Sequence, residues 1–444
     1  MVNPSDLKTE RPAWWSRVQP QERSAVGWAA AWFFFILLSY MIVRPVRETM
    51  GSIGGTSQLQ WLMLATFLVM LAAVPLYAWL VARLPRRWLV RVVYHFFAAS
   101  LVAFFLVMQI DSDAVRAWAP RAFFVWVNVF ALFATSVFWS VLADLFSSNQ
   151  AKRLFGLIAA GGTAGAITGS LLTSQLATHL PTSALLLIPV IVIEFGLACA
   201  WRLEKQSAGL RSYEDEPASG KPAETITEGG ILSGITQVAR SPYLAMICVF
   251  LVFVQACGTQ LYFQQAEIVA AAIETTEART QLFAYLDLGT QLLTLAIQSL
   301  LSGAILKRWG VSISLVILPV VYFFGFAALA FEPILATLVI VMVATRACGY
   351  GITVPAREVL FTVVSREEKY KSKSFIDTVV LRGGDAMSGQ LFGFAKQLGV
   401  STMLMNLLAL PIAAIWGVVA WNLGRQHRQR ANQAPKKSTP RFSD

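Results

Sequence analysis

The sequence predicts an all-α integral membrane protein, with twelve transmembrane helices arranged as two six-helix pseudo-repeats. Three observations predict it. The chain of 444 residues is 56% hydrophobic and only 14% charged, where a soluble protein of ordinary composition carries about 25% charge. Apolar runs of about 20 residues, the length that crosses a bilayer, recur from end to end. One long polar segment, residues 202–240, divides them into two sets of six.

In order, the first set of spans reads 26–47, 58–82, 88–110, 119–146, 153–176 and 183–201. The second reads 242–267, 281–306, 311–331, 334–364, 373–396 and 400–423. The expected domains are an N-terminal bundle over 1–201, a cytoplasmic linker over 202–240, a C-terminal bundle over 241–424 and a basic tail over 425–444. The first 25 residues are polar, and the apolar run after them is too long for the core of a signal peptide. It reads as a retained first span. Fourteen Trp and 29 Phe suit a bilayer interior with aromatic belts at its edges.

The net charge of +11 invites a nucleic-acid reading, and its placement argues against one. With the N-terminus inside, the cytoplasmic segments hold 27 of the 36 Lys and Arg and the opposite loops hold 6. This asymmetry puts both termini in the cytoplasm of a multi-pass protein of the plasma membrane, the inner membrane of a bacterium. The four Cys lie in or beside apolar spans without paired spacing, so neither a disulfide framework nor a metal site follows. No cofactor and no obligate protein partner are expected. A membrane-embedded enzyme acting on lipid-linked phosphates would need a compact acid/base or metal constellation, and three His are too few to build one. The expected partners are the lipid bilayer and a small, anionic solute.

The halves echo each other. Tyr40 and the charged end of span one correspond to Tyr262 and the Gln264, Gln265, Glu267 end of span seven, at an offset near 222. Loop 4–5 (Ser148 to Arg153) and the Gly-rich span five correspond to loop 10–11 (Ser365 to Lys373) and Gly383, Gly384 and Gly389, at an offset near 219. Two six-span halves in parallel repeat are the plan of the major facilitator fold, whose substrate site lies near mid-membrane between them.

Charges at bilayer depth cost roughly 3 kcal/mol each on insertion scales, so they must face a wet cavity, pair, or reach an interface. Span one ends in Arg44, Pro45, Val46, Arg47 and Glu48. Three apart on a helix, Arg44 and Arg47 share a face. They are read either as interfacial anchors with Glu48 as partner or as a fork for phosphate or carboxylate. Asn128 in span four faces the cavity or a neighbouring helix. The small-residue face Gly161, Gly165 and Gly169 of span five is read as helix packing. His95 in span three is read as structural, and Glu194 in span six as a proton site or a buried partner. Gln260, Gln264 and Glu267 share one face of span seven, which suits a hydrated wall. Asp287 in span eight is expected to meet an Arg from the opposite half. Arg346, nearest mid-bilayer in span ten, is the first choice for a substrate contact. Asp377, Arg382 and Asp385 in span eleven either line the cavity or neutralise one another and Arg357. Arg44, Arg47, Asn128, Gln264, Arg346 and Arg382 are thus the candidate substrate ligands, and Glu48, Asp287, Asp377 and Asp385 the candidate charge-coupling groups.

Several of these stretches resemble the ATP/ADP translocase (nucleotide transporter) family, a branch of the facilitator superfamily. The similarity runs from span one to span eleven. It rests on Arg44-x-x-Arg47-Glu48, on Ala151-Lys152-Arg153-Leu154-Phe155, and on Pro355-x-Arg357-Glu358 followed by Glu368-Lys369-x-Lys371-x-Lys373-x-x-Ile376-Asp377. The resemblance implies nucleotide exchange, with basic residues of spans one and eleven as phosphate ligands. Arg47 stands where that family has Lys, which keeps the charge. Asp385 stands where it has Lys in span eleven, which reverses it. A divergent relative with a smaller or zwitterionic substrate is the reading that follows.

Overall fold

A computed structural model of the chain describes residues 18–210 and 230–433. Residues 1–17, 211–229 of the expected linker and 434–444 of the expected tail lie outside the described residues. The first half comprises α1 (Arg23–Ile53), α2 (Gly55–Arg83), α3 (Arg86–Val107), α4 (Asp113–Leu145), α5 (Ser148–Leu176) and α6 (Leu187–Leu210). A short helix, α7 (Gly230–Arg240), leads into the second half. There follow α8 (Pro242–Ala272), α9 (Thr276–Ile297), α10 (Gly303–Phe331), α11 (Leu335–Cys348), α12 (Val354–Leu360), α13 (Arg366–Phe375), α14 (Leu381–Gln397) and α15 (Thr402–Gln433).

Among the described residues, ten helices are long and apolar enough to cross a membrane, against the twelve spans of the fold. Two physical causes account for the difference. The 56-residue stretch Thr276–Phe331 is two spans, joined at Gly310, whose φ of 76° turns the chain in a conformation that suits glycine. The eleventh span, α13 with α14, carries too much charge to qualify by hydropathy. Spans eight, ten and eleven are each interrupted by one π turn, at Gln298–Ser302, Gly349–Thr353 and Ile376–Val380. Such turns add one residue to a helical repeat and recur at functional sites.

Each half has its own apolar core, running from Ala25 to Leu203 in the first and from Val238 to Leu423 in the second. Trp32 stacks edge-on to Phe138 at 5.0 Å, and Trp416 meets Phe250 at 5.8 Å. Contacts of this kind add about 1 kcal/mol beyond area burial. The glycine face of span five packs on α1. A Cβ at Gly161, Gly165 or Gly169 would come within 2.5, 2.1 and 2.6 Å of the carbonyl oxygens of Ala30, Phe34 and Leu38. Both sets advance by four residues, so the two backbones run in contact over two turns.

The repeat extends to hydrogen-bonding detail. Both α5 and α13 start with a reciprocal cap, Ser147 with Gln150 and Ser365 with Glu368. Each cap then ties to the segment leading into its half: Gln150 donates to Glu22 at 3.2 Å, and Gln237 donates to Glu368 at 3.2 Å. Arg153 closes the first of these with a 2.7 Å ion pair to buried Glu22.

The halves are bonded to each other at the end away from the termini. Thr49 meets Thr280 at 2.8 Å, Gln281 donates to the Ser174 carbonyl at 2.9 Å, and Gln390 donates to the Gln60 carbonyl at 3.1 Å. An apolar cluster drawn from both halves, including Leu59, Phe124, Phe263 and Phe392, seals the same end.

Candidate functional site

Helix α1 extends two turns beyond the predicted end of span one. Arg44, Arg47 and Glu48 therefore lie inside the bundle, and burial of Arg44 and Glu48 rules out the interfacial-anchor reading. Pro45 between them cannot donate to the Met41 carbonyl one turn back.

A closed ring of charged and amide side chains links the halves at this level. Arg44 Nη1 lies 3.2 Å from Asp287 Oδ1, and Arg346 Nη1 lies 3.5 Å from the same oxygen. Arg346 Nη2 donates to Gln265 Oε1 at 3.0 Å, and Gln265 Nε2 donates to Glu48 Oε2 at 3.4 Å. Glu48 returns to Arg44 at 4.0 Å and also takes a close ion pair from Arg47. The expectation that Asp287 meets an Arg from the other half is met. A carboxylate 1% exposed and facing two guanidiniums is a paired charge, and losing either kind of partner would leave an uncompensated one.

A cavity of about 470 Å³ lies beside this ring, on its termini side. Tyr40, Arg44 and Arg47 of α1, Asn128 of α4, Thr163 of α5, Gln291 and Thr294 of α9, Gln298 and Tyr350 of two π turns, and Arg382 of α14 line it. A second lobe of about 200 Å³ shares Arg47, Asn128 and Arg382 with the first. That lobe adds the apolar side chains Met63, Phe67 and Phe124, with Thr259, Tyr262 and Asp385. The three shared residues sit at the junction. Asn128 is oriented by donating to the Phe124 carbonyl at 2.9 Å and accepts from Arg47 Nη1 at 3.2 Å. Arg47 also lies over the Phe124 ring at 5.6 Å.

Arg382 is the exception to the pairing. Among the described residues no carboxylate lies within ion-pair distance of it. Its neighbour Asp385 accepts instead from Gln255 Nε2 at 2.6 Å and Thr259 Oγ1 at 3.4 Å. Around the cavity and ring, Arg44, Arg47, Arg346 and Arg382 face Glu48, Asp287 and Asp385, leaving one positive charge.

Two expected placements differ, those of Arg346 and Gln264. Arg346 belongs to the ring and does not line either lobe. Gln264 is fully buried and donates to Asn406 of α15 at 2.5 Å. Its companions on the predicted hydrated face, Gln260 and Glu267, bond to the Met405 carbonyl and to Lys396. That face packs on α14 and α15. The residue of α8 that enters the ring is Gln265, one position on and about 100° around the helix. Asp377 lies 3.9 Å from Arg357, the neutralising alternative offered for it, and lines neither lobe. Tyr350, Thr163 and Thr294 were not expected at the site.

A helical bundle in two pseudo-equivalent halves, with a polar cavity between them, has the architecture of a polytopic membrane transporter. The family model of the Major Facilitator Superfamily matches residues 25–384, and the chain belongs to that superfamily of membrane transporters. Among curated protein sequences none matches the chain. A bacterial homologue of the human lysosomal transporter Spinster, solved in an inward-facing, unoccupied conformation, is 16% identical over 92% of this chain and 98% of its own, with a TM-score of 0.58. The nucleoside transporter NupG is 15% identical over 93% and 100%, with a TM-score of 0.53. A POT family transporter in complex with 5-aminolevulinic acid is 12% identical over 90% and 96%, with a TM-score of 0.62. At these identities the likeness is one of fold.

Proposed function

We propose that this chain is a secondary transporter that carries a small organic anion by alternating access, with Arg382, Arg47 and Asn128 as its central ligands. One observation supports this above the others: Arg382 faces the junction of the two lobes with no carboxylate within ion-pair distance among the described residues, Asp385 of the same lobe acting on it only through space. A buried or half-buried guanidinium is stable when something neutralises it, and its planar fork suits carboxylate or phosphate. Bonds concentrated at the end away from the termini fit a state closed on that side. The motifs shared with the ATP/ADP translocase family favour a phosphorylated substrate, and nucleotide exchange is the specific form of that reading.

Asp385 favours a second form, in which the solute also carries a donor or a positive group. It lies in the smaller lobe beside Phe67 and Tyr262, where a flat or apolar moiety would sit. The substrate would then be zwitterionic and smaller than a nucleoside triphosphate. Proteoliposomes preloaded with labelled ATP separate the two forms. Exchange requires efflux that depends on external ADP or ATP, and no trans-stimulation by any nucleotide rejects it. A thermal-shift panel of nucleotides, sugar phosphates and amino acids then tests the broader reading, since a ligand stabilises the state it binds. No stabilisation by any anion in that panel rejects an anionic substrate.

A further inference from the structure

A third cavity, of about 400 Å³, shares no lining residue with the central site and lies between the start of α3 and the end of α6 on the termini side. Arg86, Arg87, Arg91 and His95 of α3 and Glu194, Trp201 and Glu204 of α6 line it, over a floor that includes Trp32. We infer that it is a binding site for one anionic phospholipid, with the headgroup phosphate on the arginines of α3.

The chemistry of the walls carries this. His95 Nε2 and Glu194 Oε2 face each other across the two helices at 3.7 Å, with side chains 58% and 50% exposed. Both stand more than two turns into the span. Ionisable groups exposed at that depth need a polar neighbour, because hydrocarbon offers none. Around them the outer surface is apolar: Val92 and Phe96 on α3 and Ile191 and Phe195 on α6 are all exposed. Such a pocket presents cations at its mouth, a polar pair in its depth and apolar flanks beside it. A diacyl lipid with an anionic headgroup has the matching order of groups.

Charge favours an anion over a zwitterion. Three arginines line the pocket against two carboxylates, and Arg202 and Lys205 flank it on the Trp201 ring, at 5.6 and 3.7 Å. Basic residues at this edge of a membrane protein ordinarily act as scattered anchors, attracted to an anionic leaflet without a site. Here they converge on one concavity, and its volume lies in the range of small-molecule sites. The indole Nε1 of Trp32 in the floor has no hydrogen-bond partner among the described residues. A phosphoryl or glycerol oxygen entering the pocket is of the right kind to accept from donors there.

The test uses the full chain purified in a neutral detergent. Dioleoyl phosphatidylglycerol, dioleoyl phosphatidylcholine and inorganic phosphate are added separately, and the melting temperature and the lipid retained in native mass spectra are read. Phosphatidylglycerol raises the melting temperature by several degrees and leaves one lipid bound, while the other two do neither. Arg87→Gln with Arg91→Gln abolishes both effects; Lys307→Gln with Arg308→Gln, basic residues elsewhere on the same membrane side, keeps both. Ala198→Trp, which fills the pocket and keeps every charge, also loses the bound lipid. Equal stabilisation of the two double variants, or retention of the lipid by Ala198→Trp, reduces the feature to general surface attraction and overturns the site. Equal stabilisation by inorganic phosphate overturns the lipid assignment.

Discussion

Replacing Arg382 with Gln separates its proposed role from that of every other arginine at the centre. Its guanidinium has no carboxylate within ion-pair distance among the described residues, while Asp385 beside it keeps Gln255 and Thr259. Folding therefore loses no ion pair, and the melting temperature stays the same or rises slightly. Binding of an anion loses one charge-assisted contact. A unit charge held about 4 Å away is worth roughly 1 kcal/mol in water and about 4 kcal/mol at an effective dielectric of 20. Hydrogen bonds to charged groups contribute about 1.5–3 kcal/mol net. Taking about 2 kcal/mol for a wet cavity, affinity should weaken roughly thirtyfold. The assay is titration of purified protein with the strongest stabiliser among ATP, ADP, glucose 6-phosphate and glutamate, followed by its uptake into proteoliposomes. Arg382→Lys, which keeps the charge and loses the fork, should fall between wild type and Arg382→Gln. Unchanged affinity and uptake in Arg382→Gln would refute the assignment. A melting temperature many degrees lower would refute the claim that this cation is unpaired.

Three further outcomes follow from the packing and the ring. Asp287→Asn leaves Arg44 and Arg346 without their shared carboxylate, and should cost about 3–5 kcal/mol; a melting temperature equal to wild type would mean the ring contributes nothing to the fold. Gly165→Ala puts a methyl 2.1 Å from the Phe34 carbonyl oxygen and should destabilise by about 1–3 kcal/mol, whereas Gly156→Ala, with nothing within 4 Å, should be neutral or stabilising. Equal melting temperatures for these two variants would dispose of the close α1–α5 contact. Thr49→Cys with Thr280→Cys, at positions whose hydroxyls lie 2.8 Å apart, should cross-link on oxidation and stop transport until reduced; full transport in the oxidised form would show that this end need not open.

Much of the fold was legible in the sequence because bilayer depth and apolar run length are local properties. Gly161, Gly165 and Gly169 could be read as a packing face for the same reason, since their spacing lies on one helix. The span at 373–396 was read in spite of its charge, which lowers the mean hydropathy of α13 and α14. The site was legible only as a set of residue types. Arg44, Arg47, Asn128, Arg382 and Asp385 were found because polar groups at depth need a reason.

Chain order and composition thus determined that spans exist and which side chains must avoid lipid. Tertiary structure decided what each of those side chains meets. Asp287 and Arg44 are more than two hundred residues apart, and no local pattern specifies a partner in the other half. Helical periodicity fixes angles within one helix but not the rotation of that helix against its neighbours, so the Gln260 and Gln264 face turned out to lie on α15. The π turns add a further shift: the extra residue at Ile376–Val380 changes the phase of everything after it by about 100°, which a regular helical period read from the sequence does not include. Arg346 and Arg382 carry the same charge in adjacent spans, and only the three-dimensional arrangement assigns a carboxylate to the first and open space to the second.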